Sequence, residues 1–299
     1  MSKWPQNILD VYGPAGATWL AELPALLDEC AARWSLTLGP PFGNLSYNYV
    51  APAAGPDGAA LVLKVGPPNP ELKSEIAALR VFDGWGAARL IAADAARGVL
   101  LVERVLPGDS LWTLDDDEQV IAVVVKVMRG LHRPLAAGHP FRTLTDLSTG
   151  LNRLRAEFDG GYGPFPPARV DRAAGLFREL TGTAEPLLIH GDLNPGNVLR
   201  GGREPWLAID PKGYAGDPLY DVATFLNDAP RLPEAALRSL LDRRIRLLAE
   251  ALSVSRGAVL AWAEAHAVLS GWWNYEDHGA GWERTFALAE LYEALGRKK

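Results

Sequence analysis

Cysteine is nearly absent: Cys30 is the single one in 299 residues, which excludes an intramolecular disulfide. Long apolar runs are missing as well. Even the stretch from Val120 to Val127 is interrupted by Lys126 and followed by Arg129, so no segment reaches the length a bilayer crossing needs. The start, Met1-Ser2-Lys3-Trp4-Pro5, lacks the apolar core of a signal peptide, and the expected compartment is the cytoplasm. A basic excess is also lacking, since the net charge is -6 and the pI near 5.5. That balance argues against nucleic acid or an anionic membrane as the main partner and leaves room for a cationic small molecule. There is no internal repeat and no low-complexity tract. What remains is a globular chain, 48% hydrophobic, long enough for two lobes.

The chemistry concentrates in His190-Gly191-Asp192-Leu193-Asn194-Pro195-Gly196-Asn197, which follows the apolar Leu187, Leu188 and Ile189, and in Asp210 at the end of the apolar stretch from Trp206 to Ile209. Two buried strands would deliver an Asp, an Asn and a second Asp to one edge. A phosphotransferase needs that set: Asp192 to orient or accept a proton from a hydroxyl, with Asn197 and Asp210 as oxygen ligands of the metal on the nucleotide phosphates. Asn, Asp, Gly and Pro are also ordinary turn residues. A turn, however, does not require the spacing from Asp192 to Asn197 followed by a strand-terminal acid.

The rest of the chain supplies context. Apolar residues at Trp19, Leu20, Leu23, Leu26, Leu27, Cys30 and Trp34 predict an amphipathic helix over 15–34, started or kinked at Pro24, with Cys30 as a small core residue. Alternation predicts strands over 34–38, 47–51 and 59–65, the last two joined through a hairpin at Asp57-Gly58. Gly39 and Gly43 are few for a phosphate-cradling loop, so the segment is either a plain hairpin loop or one in which Ser46, with Asn44 and Asn48, donates hydrogen bonds to phosphate. Lys64, flanked by Leu63 and Val65, is either an edge-strand lysine in water or a buried ammonium that meets anions. In the next helix, capped by Asn69 with Pro70 at its first position, Leu72, Ile76, Leu79 and Phe82 form the apolar face. Glu75 beside that face is the expected partner of Lys64; Glu71 competes for the role but suits a solvated first turn.

Strands over 88–92 and 99–102 lead to Glu103-Arg104-Val105-Leu106-Pro107-Gly108, the expected linker, where the backbone of Glu103 and Val105 would pair with adenine. Helices are expected over 115–131, 146–158, 168–180, 233–252, 256–273 and 282–295. Asp115 to Glu118 read as solvated acids at a helix start, and Asp221 as the cap of an apolar helix, tying it to the loop of Asp192. Trp272 to Gly279 would lie between the last two helices, its rings packing into the core or stacking on a cationic ligand. The order is strands with one helix, a linker, then mostly helices: an α+β fold, with an antiparallel-sheet lobe over 1–104 and a helical catalytic lobe over 105–299.

Lys64, Glu75, the stretch from His190 to Asn197 and Asp210 together resemble the aminoglycoside phosphotransferase family of the protein-kinase-like superfamily. Ile209-Asp210-Pro211-Lys212-Gly213, Gly216-Asp217-Pro218-Leu219-Tyr220-Asp221 and Asn69-Pro70-Glu71-Leu72 are similar to its aminoglycoside/hydroxyurea resistance kinase group, which contains streptomycin 6-kinases. The resemblance implies a two-lobed kinase-like fold and transfer of the ATP γ-phosphate to streptomycin at its 6-hydroxyl. It further implies Asp192 as base, Asn197 and Asp210 as magnesium ligands and Lys64 with Glu75 as the phosphate anchor. Asn194 stands where many relatives have His, and Pro211 where the broader family often has Phe or Trp; neither change removes a base or metal group. Asp217, Glu276 and Asp277 are the candidate acids for a cationic acceptor. The competing readings are a kinase for another small alcohol, such as choline, homoserine or a sugar, and a nucleotide-binding pseudokinase scaffold. Because all four motif residues are present, the scaffold is disfavoured. The short segment from Asp210 to Asp221 disfavours a protein kinase, for it leaves no room for a long activation loop.

Overall fold

A computed structural model describes residues 4–182 and 186–297. Residues 1–3, part of the start read above as lacking a signal peptide's apolar core, lie outside it, as do the last two residues of the helical lobe. The chain opens with α1 (Trp4–Trp34), β1 (Thr37–Leu38), β2 (Tyr49–Ala54), β3 (Ala60–Val65), α2 (Pro70–Phe82), β4 (Leu90–Asp94) and β5 (Val99–Glu103). The five strands form an antiparallel sheet in the order β1-β2-β3-β5-β4, so β3 and its Lys64 are central and the edge-strand reading of that lysine falls.

The first helix differs from expectation. It begins at Trp4, and its break is at Gly13 (φ 55, ψ -132), not at Pro24, through which the helix continues. Gly13 adopts the positive φ without a Cβ penalty, and Pro14 then starts the second segment, where its missing N–H costs nothing. Ile8, Trp19, Leu23, Leu26 and Cys30 pack on Leu61, Leu63 and Val65 of β3, so Cys30 is the core residue expected. At the other end Ser35 (φ 52) turns the chain, and the predicted strand over 34–38 shrinks to β1.

After the linker come β6 (Pro107–Ser110), α3 (Asp117–Leu131), β7 (Arg133–Pro134), β8 (Arg142–Thr143), α4 (Leu144–Ser148), α5 (Gly150–Glu157) and α6 (Pro167–Leu180). Then follow β9 (Leu187–Ile189), β10 (Val198–Gly201), β11 (Trp206–Ala208), β12 (Tyr214–Gly216), α7 (Leu219–Asn227), α8 (Glu234–Leu252), α9 (Arg256–His278) and α10 (Glu283–Gly296). This is the α+β, protein-kinase-like, two-lobed arrangement. Two small sheets in this second part have the orders β11-β10-β6 and β7-β9-β12-β8. Among the described residues no helix is long and apolar enough to cross a membrane.

Three local expectations are corrected. Asp117 is not solvated: it is buried, and its Oδ1 takes a hydrogen bond of 2.9 Å from Nε of Arg244 on α8, because α3 packs against that helix. The segment from Trp272 to His278 is the last two turns of α9, with Trp272 2% exposed, so core packing wins over a free aromatic loop. Asp221 is not the cap of α7; it sits inside the first turn, Pro218 is at the cap position, and Asp217 Oδ1 accepts the N–H of Leu219 at 2.8 Å.

Candidate active site

Lys64 reaches the site because of strand periodicity. Leu63 and Val65 point to α1, so the residue between them points to the opposite face, toward α2. The start of α2 is fixed by Asn69, whose Oδ1 accepts the N–H of Leu72 at 2.9 Å, and the apolar face formed by Leu72, Ile76 and Leu79 turns Glu75 inward. The Lys64 Nζ donates to Glu75 Oε1 at 2.8 Å and lies 3.3 Å from Asp210 Oδ1. Burial works against the Lys64 charge, but the carboxylates of Asp210 and Glu75 outweigh it and hold the ammonium above the usual lysine range. Glu71 has a different partner, Lys212 Nζ at 3.0 Å.

β9 delivers the loop that carries Asp192. Gly191 at φ +82 passes so close to Tyr214 that a Cβ would come within 2.5 Å of the ring, so glycine is needed for both reasons. Asp221 receives the backbone N–H of His190 at 3.0 Å and of Gly191 at 2.7 Å, and Thr224 Oγ1 receives that of Leu193 at 2.9 Å. His190 is fully buried; its Nδ1 accepts from Asp192 N at 3.2 Å and its Nε2 meets the Ile209 carbonyl at 2.9 Å. These partners assign the neutral imidazole with its proton on Nε2. Asn194 caps the turn over Pro195–Asn197 and donates Nδ2–H to Asp192 Oδ1 at 3.1 Å. Burial pushes the Asp192 carboxyl above the ordinary range, against the pull of Lys212 and Asn194.

The Asn197 Nδ2 donates to the Asp192 carbonyl at 2.9 Å, which leaves its Oδ1 as an acceptor. The Asn197 carbonyl takes the N–H of Ile209 at 2.9 Å, and the His190 carbonyl takes those of Lys212 and Gly213 at 2.8 and 3.1 Å. The two loops are thus laced together, with Asp210 between them in the left-handed region, φ 56, a conformation that Asp tolerates better than most residues. Its side chain is 52% exposed and engages Lys64 through one oxygen. One neutral and one anionic oxygen donor would fit a hard divalent cation.

The structure thus brings Lys64, Glu75, Asp210, Asn197 and Asp192 together. Ser46 is exposed in the loop before β2, its carbonyl accepting from Asn7 Nδ2 at 3.0 Å. In the linker the Glu103 N–H donates to the Arg89 carbonyl at 2.9 Å and its carboxylate pairs with Arg203 at 3.0 Å. Val105 is buried against Ala88 and Leu207.

A polar cavity of about 420 Å³ opens beside Asp192 and is lined by Asn194, Thr224, Asn227, Asp228, Asn274 and Arg284 among others. None of the three proposed acceptor acids lines it. Both oxygens of Asp217 are engaged, by Leu219 N at 2.8 Å and by Trp262 Nε1 at 3.0 Å. Glu276 is held by Arg153 through two bonds of 3.0 Å, and Asp277 is exposed at the end of α9. The acid of the cavity is Asp228, whose carboxyl burial and the charge of Asp192 push up against the pull of Arg284. Two polar residues, Asn227-Asp228, directly after seven buried residues of α7, were the sequence signal for it.

Residues 34–278 match the family model described as aminoglycoside/hydroxyurea antibiotic resistance kinase. The chain is similar to a streptomycin 6-kinase of Streptomyces griseus, 31% identical over 91% of this chain and 91% of that one. It is also similar to a hydroxyurea phosphotransferase of Kitasatospora aureofaciens, 33% identical over 95% of this chain and 82% of that one. Among solved structures it shares the fold of a choline kinase of Streptococcus pneumoniae, with TM-score 0.62 and 11% identity, covering 91% of this chain and 99% of that one.

Proposed function

The chain belongs to the aminoglycoside/hydroxyurea antibiotic resistance kinase family, and on that premise we propose that it transfers the γ-phosphate of ATP to a hydroxyl of an aminoglycoside, streptomycin at its 6-position. The observation that carries this reading is the convergence of Lys64, Glu75 and Asp210 on one side with Asp192 and Asn197 on the other, all within a few hydrogen bonds of one another. Lys64 anchors the phosphates and Glu75 holds it in place. Asn197 and Asp210 would hold magnesium, which would supply charge neutralisation to the phosphates. The acceptor hydroxyl lies within hydrogen-bond reach of Asp192, about 3 Å, and attacks γ-phosphorus. The bond to the ADP oxygen breaks with its electron pair, and the hydroxyl proton passes to Asp192.

Ser46 and its loop cover the phosphates, and the backbone of Glu103 and Val105 meets the adenine edge. The lobe boundary then falls at 104/105, which is supported by β6 pairing with β10 directly after the linker. The acceptor sits in the cavity beside Asp192, with Asp228 as the further acid there for a cationic group. Asp217 supports α7. The likeness to a hydroxyurea phosphotransferase favours hydroxyurea as a second acceptor. The cavity, about 420 Å³, is far larger than so small a molecule fills, which supports the aminoglycoside. The test is ATP turnover with magnesium in the presence of streptomycin, other aminoglycosides, hydroxyurea, choline and homoserine in turn. Turnover with streptomycin supports the reading; turnover with only a small acceptor overturns its substrate.

A further inference from the structure

α2 faces the segment after Asp210 with three residues on one side of the helix. Glu75 meets Lys64; Ser74 Oγ donates to the Gly213 carbonyl at 2.8 Å; and Glu71 Oε2 receives Lys212 Nζ at 3.0 Å. The first pair is the phosphate anchor described above. The last has no assigned role, and two partly exposed side chains, 39% and 62%, contribute little stability as a surface pair.

The position of Lys212 gives the pair a different meaning. Its backbone N–H is bonded to the His190 carbonyl at 2.8 Å, and its Cβ lies 3.2 Å from where a Cβ on Gly191 would be, so its stem crosses the loop directly before Asp192. The charge balance points the same way. Asp192, Asp210, Glu75 and Glu71 converge on the cleft, and Lys64 is already shared by two of them. A phosphoryl group that moves toward Asp192 adds more negative charge on the side away from Lys64. An ammonium has three donors, and Glu71 takes one of those on Lys212.

We propose that Lys212 is a second cation of the phosphoryl-transfer centre, held across the Asp192 loop by Glu71, and that it meets the charge of the phosphoryl group on its acceptor side. The inference rests on the phosphotransferase reading given above. Lys212 stays protonated throughout: the acceptor proton goes to Asp192 and the electron pair to the departing ADP oxygen. The groups that face Asp192 are His190 on its own loop, Lys212 and Asp210 from the segment opposite, Tyr214 on β12, Tyr220 and Asp221 on α7, and Asp228 directly after it. Among these Lys212 is the fixed cation.

The experiment measures kcat and KM for ATP, beside melting temperature, for the unmodified chain and for K212M, K212R and E71Q. For K212M we expect kcat lower by about 100-fold, the size of losing one charge-stabilising donor, with KM for ATP little changed. K212R, which keeps the charge, recovers part of kcat; E71Q, which keeps the ammonium and loses only its tether, lowers kcat less than K212M. An interlobe tether alone would lower melting temperature and affect kcat equally in K212M and E71Q, and that result, or unchanged kcat in K212M, overturns the proposal. Should K212M not fold, K212R and E71Q decide on the same two readouts. No transfer by the unmodified chain with any acceptor removes the underlying reading itself, an outcome distinct from any of these.

Discussion

The Asp221 carboxylate on α7 receives the backbone N–H of Gly191 at 2.7 Å, and its other oxygen that of His190 at 3.0 Å. The fully buried acid thereby sets the conformation of the loop that presents Asp192. Asp221→Asn turns an acceptor into a donor facing backbone N–H groups and loses a charge-assisted bond of about 1.5–3 kcal/mol. We expect a lower melting temperature together with a fall in kcat, measured by thermal denaturation and steady-state rates. A variant with the original melting temperature would remove this role.

Lys64 and Glu75 form a buried pair whose separation leaves a carboxylate in the core. Lys64→Met should cost about 3 kcal/mol or more of stability. The double variant Lys64→Met, Glu75→Gln should recover most of that loss and none of the activity. Urea denaturation beside ATP-binding calorimetry checks both halves: equal stability of single and double variants would contradict the pairing energy assigned here.

How much of this was legible in the sequence follows from how local each signal is. The spacing from Asp192 to Asn197, the strand-terminal Asp210 and the lysine between Leu63 and Val65 are short-range patterns, and the fold placed all of them in one cleft. The partner of Lys64 was readable because α2 carries its own cap and apolar face. Asp221 was expected to tie its helix to the Asp192 loop and does so, but not as a helix cap: its oxygens accept N–H groups of a loop 31 residues earlier, bonds that nothing in its own helix reveals. Asp117 failed in the same way, its partner Arg244 being 127 residues distant. The acceptor acids were the least legible. Asp217 and Glu276 look available in a string of letters, and only packing of α9 shows that Trp262 and Arg153 occupy them.

Burial raises the Asp192 carboxyl above the ordinary range, so the base is lost to protonation at a higher pH than a solvated aspartate would be. The acid limb of kcat/KM should therefore lie above the usual carboxylate range. Asp192→Ala should lower kcat by about 10²- to 10⁴-fold, the usual contribution of a positioned base. Removing a desolvated acid should leave melting temperature unchanged or higher. A variant that keeps its rate would exclude Asp192 as the base.

His266 on α9 is buried, and its Nδ1 accepts from Asn227 Nδ2 at 2.8 Å. Burial lowers its pKa from 6.5 to about 4. The unfolded chain then binds the proton first, so this contribution is complete above pH 6.5 and is lost as pH falls toward about 4. The loss reaches ~2 kcal/mol by pH 5. His266→Gln, which keeps an acceptor for Asn227, should flatten that part of the slope in urea denaturation at pH 5 and pH 7. An unchanged slope would show that the imidazole titrates normally.

The central claim is tested most directly by incubating the protein with ATP, magnesium and streptomycin and examining the product by phosphorus and proton NMR. The account predicts one phosphate ester on the 6-hydroxyl of streptomycin, formed with one ADP per ester and absent with Asp192→Ala. Unmodified streptomycin, or an ester that still forms in the Asp192→Ala variant, would contradict it.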